Sequence, residues 1–174
     1  QARFFWIHAS GLRDPEKPHI VEVSYEADGP KGFDDVVVRY SPGQAGRRSF
    51  KVEMAHHQVK FHVNQAGRFG FKDLIEPEFI GATSFSILQR LKEAVEKAPP
   101  RSTFTLVTTD RVRDDDPLSK LLKTADKSLD VEKLAVGKTE RSEMGEVRAL
   151  WRTHLKLETD EELFGILDTF HIME

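Results

Sequence analysis

The sequence contains no cysteine. This excludes a disulfide framework, a thiolate zinc site and a thiol nucleophile, and it fits a reducing cytoplasm. Long hydrophobic runs are also missing. None approaches the ~18 residues that a membrane-spanning helix needs, and the N-terminus lacks the layout of a signal peptide. A cytoplasmic protein with no membrane partner is therefore expected. Neither sign of charge dominates: 26 Lys+Arg stand against 29 Asp+Glu, for a formal charge of −3. Whole-chain electrostatics thus give no general attraction to nucleic acid, and any contact with DNA must come from a local patch.

What is present has the composition of an ordinary globular domain. The 174 residues, 39% of them hydrophobic, suffice for one good core, because a chain near this size buries roughly 70% of the surface it exposes when unfolded. We read residues 1–174 as a single domain with a core over residues 1–110 and a C-terminal helical part over residues 111–174. The first residue is Gln rather than Met, so a fragment of a longer multidomain protein is expected. Charge is unevenly divided. Residues 1–72 hold 11 Lys+Arg and 8 Asp+Glu, the remainder 15 and 21, and five of the seven histidines lie in the first part. That asymmetry places the chemistry in the first part and a scaffold or partner surface in the acidic remainder.

Periodicity predicts a helix over residues 1–12, where Phe4, Phe5, Ile7, His8 and Leu12 recur at helical spacing. Strands follow at residues 19–26, where Val21, Val23 and Tyr25 alternate with Glu22, Ser24 and Glu26, at the β-branched residues 36–40, and at residues 57–63. The spacing then predicts a helix over residues 83–97, a strand over 103–109, and a short helix over 118–125 capped by Asp116-Pro117. Two more helices are expected over residues 143–155 and 160–170, the latter opened by a capping box of Thr159 and Glu162. Short links make the first three strands antiparallel hairpins, and the helix over 83–97 returns the chain to a parallel neighbour. The expected fold is α/β, a small mixed β-sheet flanked by helices.

The third strand, HHQVKFHV, is the most informative stretch. A period of two puts His57, Val59, Phe61 and Val63 on one face and His56, Gln58, Lys60 and His62 on the other. Such a polar face is either solvated surface or a site. Glu26 ends the polar face of the first strand and Asp35 opens the second, so Glu26, Asp35, Gln58 and Lys60 can converge at one end of the sheet. That set suits phosphodiester hydrolysis. Mg²⁺ prefers oxygen ligands from one or two carboxylates, completed by waters and phosphate. Asp35 serves as central ligand, Glu26 as a second, and Gln58 offers an amide oxygen, with the Val59 carbonyl between the polar pair. Lys60 is placed to orient or deprotonate water and to stabilise developing charge.

The order of a helix, a strand Glu, an FDDVVV strand and QVK on the next strand resembles the PD-(D/E)XK, restriction-endonuclease-like, nuclease superfamily, with Gln in place of the commoner Glu. More closely, VSYEADGPKGFDDVVVRY, HHQVKFH, TLVTTDRVRDDD and LWRTHLKLETDEELF are similar to the double-stranded-DNA nuclease domains at the N-termini of bacterial antiphage effectors. The resemblance implies a restriction-endonuclease-like core and a Mg²⁺- or Mn²⁺-dependent deoxyribonuclease with little sequence specificity. It also implies a fused or associated ATPase, STAND or ligand-sensing module, and a homo-oligomer is expected. By the same resemblance Asp35 is the metal-binding Asp, Gln58 the variable position, Lys60 the catalytic lysine and Glu26 the glutamate ahead of the Asp pair. Gln1 falls where the first helix offers a polar residue. Asp34 competes with Asp35 for the metal role. The loss of a negative charge at Gln58 leaves an alternative, a catalytically inactive nuclease-fold module for nucleic-acid binding or assembly.

Other features have plainer readings. Arg47, Arg48 and Lys51, in a loop after the second strand, are candidate phosphate contacts, as are Arg68 and Lys72. His56 and His62 are too far apart on one strand to share an ion. Asp114, Asp115 and Asp116 read as a helix start rather than a metal site. Trp6 and Trp151 read as core residues.

Overall fold

A computed structural model describes residues 1–45, 51–61, 67–137 and 139–174. Helix α1 (Ala2–Ser10) precedes strands β1 (Ile20–Tyr25), β2 (Val36–Ala45), β3 (Lys51–Lys60) and the short β4 (Arg68–Phe69). Helix α2 (Ile87–Lys97), β5 (Ser102–Thr108) and β6 (Arg111–Val112) follow, then α3 (Pro117–Leu121), α4 (Val131–Leu134), α5 (Glu143–Leu155), α6 (Asp160–Leu167) and β7 (Phe170–Met173). Five strands form a mixed sheet in the order β1-β2-β3-β5-β7, and β4 pairs with β6 separately. The first three strands are antiparallel, while β5 is parallel to β3 and β7 to β5. The α/β class, the hairpins and the parallel return through α2 are as expected.

Helix α2 is strongly set by local chemistry. Ser86 and Gln89 form a reciprocal capping box, and Ile87, Leu88, Leu91 and Ala94 are buried on one stripe. That stripe joins Phe104, Leu106, Phe170, Ile172 and the apolar faces of α5 and α6 in the larger core. On the opposite sheet face a smaller core gathers Phe4 of α1 with Val36, Val38, Ala55, Val59 and Val107. Strand β3 therefore runs between two covered faces.

Three departures from the sequence reading have physical causes. Strand β3 starts at Lys51 rather than residue 57, because a strand covered on both faces shows little alternation. His56, read as part of a polar face, is only 2% exposed and stacks on Phe104 with ring centroids 5.2 Å apart. Trp6, read as core, is 67% exposed, whereas Trp151 is fully buried. Helical spacing explains Trp6: α1 turns Phe4 and His8 toward His57, which leaves residues 6 and 7 on the outer side. Further elements lie outside the expectation, among them the short β4, β6 and α4. Strand β2 continues to Ala45, with Pro42 inside the register break between Arg39 and Gln44. The C-terminal β7 replaces the end of the helix expected over residues 160–170.

The smaller core contains a buried base. His57 donates from Nδ1 to the Val36 carbonyl, 3.1 Å away, and packs against Phe4 and His8. Burial, reinforced by repulsion from His8, pushes the His57 imidazole down to about 3. The unfolded chain takes up a proton near pH 6.5 and the folded chain does not. The stability contribution is therefore complete above about pH 6.5 and is lost as the pH falls toward 3. At pH 5 the expected loss from this group is about 2 kcal/mol. Thermal denaturation at pH 7 and pH 5 checks it: a His57→Met variant should lose less stability across that range than the wild type, and parallel losses would refute the assignment.

Candidate active site

Residues 26–35 link β1 to β2 and carry the first two site residues. The hairpin ladder extends past the strand ends, with Glu26 N donating to the Asp35 carbonyl at 3.1 Å and Ala27 N to the Asp34 carbonyl at 2.9 Å. Glu26 holds a left-handed backbone, φ 46°, a conformation that costs a non-glycine residue about 1 kcal/mol or more. Phe33 anchors the far side of the loop. It is fully buried, edge-on to Phe104 and Phe170 at 5.4 and 6.2 Å. Gly32 permits this course: at φ 93° it passes so close to Arg90 that a Cβ would sit 2.4 Å from the Arg90 side chain. Asp34 and Asp35 then part. Asp34 Oδ1 accepts from Gly32 N within its own turn at 3.1 Å, while Asp35 turns toward β3.

Asp35 is the centre of the arrangement. Its Oδ2 accepts from Gln58 Nε2 at 2.6 Å and from Val59 N at 2.7 Å, and its Oδ1 accepts from Gln1 Nε2 at 2.8 Å. Pairing of Val36 with His57 across β2 and β3 is what brings Asp35 opposite Gln58. Burial raises the Asp35 carboxyl above its usual range, and the Val59 and Gln1 hydrogen bonds oppose that rise. No Lys, Arg or His side chain among the described residues forms an ion pair with it. Tyr25, beside Glu26, is a residue the sequence reading did not single out. Its hydroxyl is made less acidic first by desolvation, then by the nearby Glu26 and Asp35 carboxylates. The pattern of an aromatic residue directly preceding the strand-end Glu was the available signal.

Lys60 follows one strand repeat after Gln58, and its ammonium lies against the chain at Gly81. A Cβ built on Gly81 would be 2.7 Å from Lys60 Nζ, and Gly81 itself has φ 68°. Gly81→Ala and Gly81→Asn separate the two demands, since Asn tolerates the left-handed backbone and still carries a Cβ. Both variants are expected to displace the Lys60 ammonium and so to lower, several-fold, the plasmid cleavage proposed below, with Asn recovering the melting temperature but not cleavage. Full recovery of activity in Gly81→Asn would show that strain alone matters there.

The structure thus brings Gln1, Glu26, Asp35, Gln58 and Lys60 to one end of the sheet. It does not bring Lys51 there. Lys51 begins β3 and lies nine strand residues from Lys60, about 30 Å along the strand. Arg47, Arg48, His62 and Val63 lie outside the described residues. Arg68 and Lys72 are engaged by acids, Asp114 at 2.8 Å and Glu146 at 3.4 Å. Asp116 caps α3 by accepting from Leu118 N. Among the described residues no three His, Asp or Glu side chains cluster in a way that could hold a metal ion. A cation here would have to use amide or main-chain oxygens as well as carboxylates. The donor types fit such an ion: the Asp35 carboxylate, Glu26 beside Tyr25, and a Gln58 amide whose oxygen and nitrogen exchange by a simple flip are all hard-oxygen donors.

No protein-family model matches the chain. Over all 174 residues it is 53% identical to CD-NTase-associated protein 4 of Enterobacter hormaechei subsp. hoffmannii (strain UCI 50). The chain spans 35% of that relative's length. Among the described residues no helix is long and apolar enough to cross a membrane.

Proposed function

We propose that this chain is a restriction-endonuclease-like domain that hydrolyses phosphodiester bonds of double-stranded DNA with Mg²⁺ or Mn²⁺, as the effector part of a bacterial antiphage system. The observation that carries the reading is the convergence on Asp35: a buried carboxylate fixed by Gln58 and by the Val59 amide, with Lys60 one repeat further on the same strand. Asp35, Glu26 and the Gln58 oxygen would hold the ion, which when bound would neutralise phosphate charge and make water a better nucleophile. The chain's own groups do the rest. Val59 N and Gln1 Nε2 hold the Asp35 carboxylate in one orientation, and Lys60, pressed against Gly81, directs its ammonium to the reacting phosphate or to water.

The name of the relative, CD-NTase-associated protein 4, supports the defence setting and an associated or fused signal-handling module. A homo-oligomer and an activating signal handled by that module complete this proposal. One observation favours a second reading. Gln58 donates to Asp35 where a second carboxylate would be a ligand, which suits a catalytically silent module for nucleic-acid binding or assembly.

The test is incubation of the full-length protein, with its associated partners and activating signal, with supercoiled plasmid in Mg²⁺, in Mn²⁺ and in EDTA, beside Lys60→Ala and Asp35→Ala. Metal-dependent cleavage lost in both variants supports the nuclease. Absence of cleavage by the wild type supports the silent module, and cleavage unchanged in both variants removes the site assignment.

A further inference from the structure

The outer side of α1 carries large apolar side chains in water, which a helix beside a core has no packing reason to keep there. Trp6 is 67% exposed, and it is the end of an aromatic run. The rings of Trp6 and Phe5 are 5.3 Å apart and those of Phe5 and Tyr25 are 5.7 Å apart, both edge to face. Tyr25, 42% exposed, ends the run next to Glu26. Phe61, 43% exposed, directly follows Lys60. The same helix reaches the site at its other end, where Gln1 donates to Asp35. Each exposed ring is therefore tied by chain or by contact to a candidate site residue.

Charge on this surface matches one class of partner. Residues 1–13 contain Arg3 and Arg13, both exposed, and no Asp or Glu. Exposed aromatic rings on a segment that carries two arginines and no acid fit a nucleic-acid strand, with rings for bases and arginines for phosphates. In a continuous duplex the base faces are covered by their neighbours, so a ring shelf gains only from bases that are unpaired and unstacked.

We propose that Trp6 and Tyr25, bridged by the partly buried Phe5, form a stacking shelf for unpaired bases beside the Asp35 site, so that the favoured substrate is DNA opened locally around the cut. This inference rests on the nuclease reading above and adds the state of the DNA that the site engages. The shelf accepts any base, because every base has a π face. Arg3 contributes equally to paired and unpaired DNA through the phosphate charge.

The experiment uses the full-length protein in EDTA, where hydrolysis cannot proceed, with two fluorescent DNAs of one sequence, a continuous duplex and a duplex with a short internal bubble. Binding is followed by anisotropy. The wild type should prefer the bubble. Trp6→Ala should weaken bubble binding about tenfold and duplex binding less than about twofold, and Trp6→Phe should recover most of the loss. Arg3→Ala should weaken both DNAs alike. Trp6 is exposed, so the melting temperature of Trp6→Ala should match the wild type. An unchanged bubble preference in Trp6→Ala overturns the proposal. If that variant instead changes the oligomeric state, the surface is covered by a second copy and the proposal falls as well. Metal-dependent plasmid cleavage, measured alongside, separates the two failures: cleavage with no Trp6 effect removes only the shelf, whereas no cleavage and no DNA binding removes the nuclease reading with it.

Discussion

Lys60→Ala is expected to lower metal-dependent plasmid cleavage by about 100-fold or more while leaving the melting temperature where it is. The two halves of that expectation have separate sources. The Lys60 side chain has no ion pair or hydrogen bond among the described residues, and its ammonium lies against Gly81. Removing it should cost little stability. Asp35→Ala is different. It deletes the acceptor of three hydrogen bonds, one of them from the buried Val59 amide. A buried donor left without a partner costs about 1–3 kcal/mol, so this variant should lose stability and activity together. Cleavage that disappears in Asp35→Ala alone is thus ambiguous, and loss in Lys60→Ala at an unchanged melting temperature is not. A melting temperature that falls as far in Lys60→Ala as in Asp35→Ala would show that Lys60 is a structural residue.

Phe33→Ala is expected to destabilise the fold by about 3–5 kcal/mol, the usual cost of deleting a fully buried ring. Phe33 is buried from all sides and meets Phe104 and Phe170 edge-on, so little nearby structure can collapse into the void. The ring has a second duty. It pins the loop that delivers Asp35 to the Gln58 amide, and Asp34, its neighbour, is turned back onto Gly32. Loss of the anchor should therefore reduce activity more than the fraction unfolded explains. Urea denaturation gives the stability change, and cleavage under conditions where the variant is still mostly folded gives the second effect. Phe33→Leu, which retains much of the volume, should recover most of both. If activity in Phe33→Ala tracks the folded fraction alone, the loop holds Asp35 without help from this ring.

Helix α5 and the caps of α3 and α6 were legible from residue order, because Asp116 and Thr159 act on donors two or three residues away, whereas α2 starts at Ile87 behind its Ser86 cap and not at residue 83 as its spacing suggests. The strand β7 was not legible. Its four residues continue an apolar helical pattern, and its partner β5 lies more than 60 residues earlier, so nothing local marks it as a strand. The same reason explains His56. Alternation assigns it to the face of Gln58, but only the packing of Phe104 alongside it decides that this part of the face is buried. Trp6 was misplaced because residue type favours burial, while the phase of α1 is set by Phe4 and His8 meeting His57.

The missing cysteines and the near balance of charge were fully determined by the sequence, and the first of these excludes thiolate ligands from any metal chemistry here. The sequence also named Glu26, Asp35, Gln58 and Lys60, through the period-two alternation of the strands and the resemblance of their order to the nuclease superfamily, with Asp34 still competing with Asp35. Only the tertiary structure decided that Asp35 is held by Gln1, Gln58 and Val59 while Asp34 turns to its own loop, and that Lys51 lies at the far end of β3. Register across antiparallel strands and the anchoring of Phe33 are long-range contacts. A side-chain pattern specifies which face a residue occupies, but packing between distant segments specifies what that face meets.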